Sequence, residues 1–371
     1  MKSILVYYPF VLSKQGDSGS KLRPIEMIRA FQKMGENEGL KVHIITGNST
    51  DRQRQFKELE EAGELDNLQF AYVENQTIPI WLTDPGHLPK KPFVDRQIFH
   101  SLKSKNVPIG IFYRDIYWKF DELYPLRGWK KMIMKKIYKM EERFFEKYAD
   151  VIYLPSEEMF QYVDINRTKV SLPPGGKLIH INDQDKDNYT CQHGVYVGGI
   201  RHDSGINVLL DAMEILQERD VPFSLTVVCR PNEFQALPEK MRQQFRKLDI
   251  EVLHASGEEL NAIYKKADVG FIPFLHSEYN DFAVAFKLFE YLSHQVPIVA
   301  TDCRAQKRII QSGPYGVICK STPEEMVEAI LTMKKEYHVI KKEINKTFLE
   351  KHSWLSRAYT VKETLLKERN E

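Results

Sequence analysis

Short apolar runs rich in β-branched and aromatic residues alternate with longer stretches of helical periodicity along the whole chain, and the alternation restarts once near the middle. A parallel strand can follow another in one sheet only through a long crossover, so this pattern predicts βαβ units. The first set of runs is 4–8, 42–46, 68–73, 109–113, 151–154 and 170–172. Pro173-Pro174-Gly175-Gly176 and the polar run from Asn182 to Asn188 follow, a composition that reads as a linker. The second set is 195–197, 225–228, 252–253, 269–274, 298–301 and 317–318. The expectation is an α/β chain with Rossmann-like domains at 1–174 and 191–350, a linker at 175–190, and a terminal helix within 351–371. Trp354, Ala358, Val361 and Leu365 give that last helix an apolar stripe suited to packing back on the first domain.

The length of 371 residues agrees with two cores, since single cores stop growing beyond roughly 250–300 residues. Basic and acidic residues number 53 and 51, so no global field favours nucleic acid as a partner. No run approaches the ~20 apolar residues of a membrane span, and the N-terminal run 4–8 is too short for a signal peptide. A cytoplasmic protein is expected. Cys191, Cys229, Cys303 and Cys319 lack C-x-x-C spacing and read as buried thiols in a reduced compartment.

Several local strings carry less than they suggest. Gly16-Asp17-Ser18-Gly19 has the letters of a serine-protease nucleophile string but lies after a strand of an α/β chain. Asp183-Gln184-Asp185 has the letters of a metal-binding DxD but falls in the linker. Gly-x-Gly-x-x-Gly and P-loop strings are absent. No metal site and no cofactor are expected.

Chemistry concentrates in the second half. Tyr196-Val197-Gly198-Gly199-Ile200-Arg201-His202-Asp203-Ser204-Gly205-Ile206 joins a strand to a helix, where glycines let backbone approach a ligand and the helix start offers N–H groups to phosphate. A tight turn that needs Gly205 only for its backbone angles fits equally well. Lys287 and Glu290, three apart in a helical run, share a face, a cation for phosphate beside a carboxylate for sugar hydroxyls. The bland alternative is a surface ion pair worth at most about 1 kcal/mol.

The order of these elements resembles the GT-B glycosyltransferases, especially family four (group 1), most closely from Tyr196 to about Thr301. That resemblance implies two Rossmann-like domains facing each other across a cleft. It implies a nucleotide-diphosphate sugar as substrate, bound by Gly198, Gly199, Arg201, Ser204, Arg230, Ser256, Asp281, Lys287 and Glu290. Glu290 would hold the ribose hydroxyls, and the basic groups would hold the diphosphate. The chain departs from the pattern in three places: Gly199 stands where many relatives carry arginine, Ser204 where they carry lysine, and Phe282 where the earlier of two glutamates falls. Arg201 and Arg230 are the replacement cations, and Asp281 the replacement carboxylate.

In the first half, Gly16, Ser18, Gly19 and Arg23 lie between the first strand and a helix expected to open at Pro24, and Arg114 and Asp115 follow the fourth strand. These are the candidates for the acceptor side. Arg23 is either an anion contact or an ordinary exposed helix arginine. Asp115 is either a catalytic base, needed if the reaction inverts, or a helix cap or ion-pair partner of Arg114. The helix 127–149 carries six basic residues and no acidic one between Arg127 and Lys139. Trp129, Ile133, Ile137, Met140, Phe144 and Tyr148 form the stripe expected to pack on the sheet, with Lys131, Lys135 and Lys139 opposite, a solvated face or one for an anionic membrane at the inner side of the cell.

The reading is a retaining, metal-independent transferase that moves a sugar, from a UDP-sugar by preference, to a sugar, lipid-linked or protein-borne acceptor in cell-surface glycan synthesis. Its rivals are a non-catalytic partner subunit of a glycosyltransferase and a GT-B epimerase or phosphorylase.

Overall fold

The twelve apolar runs become twelve strands in two parallel sheets. The computed structural model describes residues 1–13, 19–179 and 191–370. Its contacts divide the chain into one unit of residues 1–173 with 354–371 and a second of 174–353.

The first unit holds β1 (Ser3–Tyr7), β2 (Lys41–Ile45), β3 (Leu68–Glu74), β4 (Ile109–Phe112), β5 (Val151–Leu154) and β6 (Thr168–Ser171), in the order β2-β1-β3-β4-β5-β6. The order reverses between β1 and β3, and open sheets of this kind bind ligands beyond the carboxyl ends of strands at such a reversal. β1, β4 and β5 are buried throughout, hence their unbroken apolar runs. β6 is a half-exposed edge strand, which is why its first residues, Thr168 and Lys169, carry no apolar signal. The helix Trp354–Asn370 belongs to this unit and buries Trp354, Ala358, Val361 and Leu365. Tyr153 and Thr364 tie it to β5 through a 2.6 Å hydrogen bond between their hydroxyls.

The second unit holds β7 (His193–Val197), β8 (Ser224–Val228), β9 (Glu251–Leu253), β10 (Val269–Ile272), β11 (Ile298–Thr301) and β12 (Gly316–Cys319), in the order β12-β11-β10-β7-β8-β9. Its reversal falls between β7 and β10. β10 stops at Ile272 rather than 274 because Pro273 has no N–H for the ladder. The helix Pro323–His352 is capped by Thr322, whose hydroxyl accepts from the Glu325 N–H, and ends one residue before the chain leaves the unit.

Two helices differ from expectation. The helix expected to open at Pro24 runs Gly19–Glu38 with Pro24 inside. A proline this near the start forfeits only one early backbone bond. The basic helix runs Gly128–Tyr148, but its packed face is Tyr138, Glu141, Glu142, Phe145 and Tyr148. Trp129, Met132, Ile133 and Met140, by contrast, are 67%, 65%, 48% and 56% exposed. The reason lies in two carboxylates that polarity alone places outside. Glu141 Oε1 accepts from the Ile80 N–H at 2.8 Å, and Glu142 pairs with Lys119 at 2.9 Å, so both sit inside with partners. Burial pushes Glu141 up to about 8. Lys131 and Lys135 do not form an open face; both pair with Asp121, at 2.8 and 2.6 Å.

Gly205 starts the helix Ile206–Glu218 at φ +70°, and a Cβ there would stand 1.6 Å from the Pro273 carbonyl oxygen. Gly257 has φ +58° with open space around it. Gly257→Ala should cost only the backbone angle, about 1–2 kcal/mol, whereas Gly205→Ala should cost clearly more because backbone must also move. Equal melting-temperature losses in the two variants would remove the steric account.

Candidate functional site

The reversal between β7 and β10 gathers most of the expected donor residues. Gly198, at φ +148°, donates its N–H to the Val228 carbonyl at 2.9 Å, which turns the chain sharply off β7. Tyr196 donates its hydroxyl to the Gly199 carbonyl at 2.7 Å, and Ser204 donates to the Arg201 carbonyl at 2.7 Å. The turn is thus held from within by residues of its own sequence. Gly205 seats it against Pro273, beyond β10.

The helix Phe286–Ser293 closes the other side. Its Tyr291 hydroxyl accepts from the Val197 N–H at 3.0 Å, fixing the helix to the end of β7. Lys287, one turn earlier, is 9% exposed, with Nζ 4.0 Å from the Tyr196 ring centroid and 5.2 Å from that of Phe274. A Cβ on Gly198 would lie 3.2 Å from this nitrogen. Among the described residues Lys287 has no hydrogen-bond or ion-pair partner, so burial pushes it down to about 7; Glu290 offsets part of this and Arg201 adds to it. Glu290 accepts a 3.1 Å hydrogen bond from Tyr264 on Oε2, and burial raises its pKa. No salt bridge joins Lys287 to Glu290 among the described residues, so the surface-pair reading does not describe them. A buried ammonium with no partner is costly and either sheds its proton or meets an anion.

Around this centre the other expected groups are more exposed. Arg201 pairs with Asp203 at 3.3 Å and Arg230 with Glu233 at 3.2 Å, both largely in solvent where such pairs hold weakly. Glu233 also accepts from the Ile200 N–H at 3.2 Å, which brings Arg230 beside the glycine turn. Ser256 is exposed, its N–H donating to Glu259 at 3.2 Å. Phe282 is buried against Tyr279, ring centroids 5.0 Å apart. Asp281 beside it accepts from His276 Nδ1 at 2.9 Å and lies 3.4 Å from Arg304.

His276, Asp281 and Cys303 come close enough together to share an ion. The donor set fits a hydrogen-bonded cluster better. Both His276 nitrogens are engaged by carboxylates, Nε2 with Asp302 at 2.6 Å, and burial pushes the Cys303 thiol up to about 12, far from a thiolate. His276 was not anticipated, because its second partner, Asp302, follows β11 and is distant in sequence.

In the first unit the candidates group at the other reversal. Arg23 is 4% exposed, so the exposed-arginine reading does not hold. Its Nε lies 3.4 Å from Glu74 Oε2, and its guanidinium carbon 3.6 Å from the Phe112 ring centroid. Arg114 Nη2 reaches Glu74 Oε1 at 2.6 Å. Asp115 Oδ1 accepts from the Tyr117 N–H at 2.9 Å and so closes a local turn, while the residue at the cap position of the short helix Tyr117–Lys119 is Ile116. Gly19 is the first residue of its helix. Gly16 and Ser18 lie outside the described residues, as do 180–190 of the linker and Asp183 and Asp185 within it. Glu74 was not anticipated; a lone glutamate ending an apolar run was the one available signal. Among the described residues no helix is long and apolar enough to cross a membrane.

The family described as glycosyl transferases group 1 matches residues 192–336. Over 206 residues the chain is 26% identical to a probable sucrose-phosphate synthase of Thermosipho melanesiensis, covering 54% of this chain and 48% of that protein. The chain therefore spans about half the length of the curated relative it matches. Among solved structures it is similar to a glycosyltransferase of Rickettsia africae, with a TM-score of 0.61 at 11% identity, covering 100% of this chain and 99% of that one. It is also similar to an alpha,alpha-trehalose-phosphate synthase (UDP-forming) of Burkholderia xenovorans in complex with glucose-6-phosphate, with a TM-score of 0.57 at 11% identity and coverage of 98% and 100%. The chain thus has the two-domain Rossmann-like GT-B fold, and residues 192–336 of its second unit are similar to the family described as glycosyl transferases group 1.

Proposed function

We propose that the protein is a glycosyltransferase that draws a sugar from a nucleotide-diphosphate sugar held by the second unit and passes it to a sugar acceptor on the first. The observation that carries this reading is Lys287, a buried amine with no hydrogen-bond or ion-pair partner among the described residues, set beside the Gly198 backbone at the strand-order reversal. A diphosphate placed there would hold Lys287 in its charged form. Arg201 and Arg230, whose surface pairs are weak, can turn to the same oxygens, and Glu290 is the carboxylate for the ribose hydroxyls. Three cations would suffice for the leaving diphosphate without a metal ion. The donor is proposed to be a UDP-sugar, in keeping with the UDP-forming neighbour. Retention at the anomeric carbon is proposed with it, the departing phosphate taking the acceptor proton, and Asp115 is the base if the outcome is inversion.

A second reading is favoured by Phe282. An apolar side chain packed where relatives carry a carboxylate fits a non-catalytic partner subunit that keeps the fold and the nucleotide site. Turnover of a UDP-sugar by the purified protein decides between the two.

The helix Gly128–Tyr148 supports a further partner. Trp129, Met132, Ile133 and Met140 are exposed beside the exposed Lys130 and Lys136, an apolar strip with cations at its flank. We propose that it rests on an anionic membrane at the cytoplasmic side, which would suit a lipid-linked acceptor in glycan synthesis.

Glu290→Gln and Lys287→Ala should each weaken UDP binding by roughly 1.5–3 kcal/mol, or about 10- to 150-fold, with little change in melting temperature. Calorimetry showing wild-type affinity in both variants would remove the donor site. The amine adds a sharper test. Free Lys287 is largely neutral above its depressed pKa of about 7, and a bound diphosphate raises it again, so binding at about pH 8 should take up nearly one proton. Titration in buffers of different ionisation enthalpy measures this; the uptake should vanish near pH 6 and in Lys287→Met. For the membrane face, Trp129→Glu with Met132→Glu should abolish co-sedimentation with phosphatidylglycerol vesicles while UDP binding persists. Wild-type protein that ignores such vesicles at low salt would leave the strip without this role.

A further inference from the structure

Beyond β10 the chain passes through Pro273, Phe274 and Leu275 to His276, makes the short helix Glu278–Phe282, and after 283–285 enters the helix Phe286–Ser293, whose second residue is Lys287. This segment is anchored to the glycine turn. The Leu275 N–H donates to the Asp203 carbonyl at 3.1 Å, and the buried Asn280 amide donates to the Leu275 carbonyl at 2.8 Å and to the Asp203 carbonyl at 3.3 Å. On its other side stands the exit of β11, where the Thr301 hydroxyl donates to the Phe274 carbonyl at 2.6 Å and Asp302 precedes the helix Arg304–Gln311. His276 joins the short helix to that exit. Its Nδ1 meets Asp281 Oδ1 at 2.9 Å and its Nε2 meets Asp302 Oδ1 at 2.6 Å.

The two contacts together fix the protonation of the ring. A neutral imidazole has one N–H and one lone-pair nitrogen, so it donates to one carboxylate only and turns a lone pair on the other. An imidazolium donates to both. A protonated carboxyl at one end would also satisfy the geometry, but the surroundings oppose it. Burial pushes Asp302 up, yet the hydrogen bond and charge of His276 outweigh this and hold it below its ordinary value. Asp281 Oδ2 has Arg304 Nε at 3.4 Å, which favours the carboxylate. The hydrogen bond to Asp302, ahead of opposing burial and of the bond to Asp281, raises the pKa of His276. The short helix also brings Glu278, the helix after β11 brings Lys307, and the glycine turn brings Asp203 with its partner Arg201. Cys303, whose thiol burial pushes up to about 12, stays neutral beside them.

We infer that His276, as an imidazolium, is a positioning residue of the second unit: it clamps the segment that leads into the Lys287 helix to the exit of β11, and the clamp opens when the ring gives up its proton. That the clamped segment serves UDP rests on the proposed donor site; the clamp itself does not. The ring gains both partners only in the fold, so its contribution to stability is fully present below the ordinary histidine value of about 6.5 and is lost as pH rises through the raised one. Asp302, with its pKa lowered, keeps its charge through that whole range.

The test uses the full chain with EDTA throughout, so that no ion shared by His276, Asp281 and Cys303 supplies the effect. In nitrogen-15 spectra the His276 ring, assigned by its loss in His276→Gln, should titrate above the ordinary value of about 6.5, and a ring that titrates at or below that value overturns the inference. Hydrogen exchange, corrected for the intrinsic rate, should show protection of 278–285 falling about threefold or more as pH rises through the same titration. His276→Gln should be less protected than wild type at acid pH and indifferent to pH, whereas His276→Arg, which keeps its charge, should stay protected throughout. Asp302→Asn should move the loss to lower pH. The His276 side chain is 44% exposed, so these variants leave the core intact. Flat protection in wild type overturns the clamp, and so does a His276→Gln profile that matches wild type. Lys287 titrates in the same range, so UDP affinity is read as the ratio of His276→Arg to wild type, in which the lysine's contribution cancels. That ratio should rise about threefold or more between about pH 6 and about pH 9. UDP binding with a constant ratio removes the positioning role. A clamp that titrates in a protein that binds no UDP sinks the donor reading and leaves the clamp standing.

Discussion

The contact between Gly205 and the Pro273 carbonyl sets the geometry on which the donor-side reading depends. β7 and β10 are neighbours in the sheet although two other strands intervene in sequence, so the chain leaving β7 must pass directly over the end of β10. It clears that end only because position 205 has no Cβ and accepts a left-handed backbone. Once the turn is seated, Gly198 lies beside the Lys287 ammonium, and Tyr291 holds the lysine's helix to the end of β7.

Buried charge divides into two kinds in this protein. Arg52 is as buried as any side chain in the molecule, yet every part of it is used. It meets Asp95 at 3.1 and 3.3 Å, the Tyr7 hydroxyl at 2.9 Å and the Gly47 carbonyl at 2.8 Å. Such a network specifies packing and asks for nothing further. Lys287 and Arg23 are also buried cations, but among the described residues Lys287 rests on the rings of Tyr196 and Phe274 without a carboxylate partner, and Arg23 meets Glu74 only through Nε, at 3.4 Å. How many of its donors are engaged, more than burial itself, distinguishes Arg52 from these two cations.

The basic helix shows the opposite error of inference. Counting apolar residues at helical spacing puts Trp129, Ile133 and Met140 inside, because each removes area from water at no polar cost. Glu141 and Glu142 win that face because Ile80 offers a backbone N–H and Lys119 an ammonium at the right places, and a carboxylate with partners can be buried. Neither partner is near in sequence, so no local pattern announces them.

The sequence by itself determined the strands, their grouping into two sets, the break near residue 175 and the glycine turn, because alternation of period, breakers and βαβ spacing are local properties of the chain. It also singled out Lys287, Glu290, Arg23 and Arg114, since their positions after strands follow from the same alternation. Only the tertiary structure decided that Lys287 is buried without a carboxylate partner among the described residues, that Arg23 shares Glu74 with Arg114, and that Asp115 closes a turn. Those outcomes depend on which distant residues arrive at a strand end, and on whether water is excluded there, which is a property of packed elements in three dimensions rather than of any stretch of sequence.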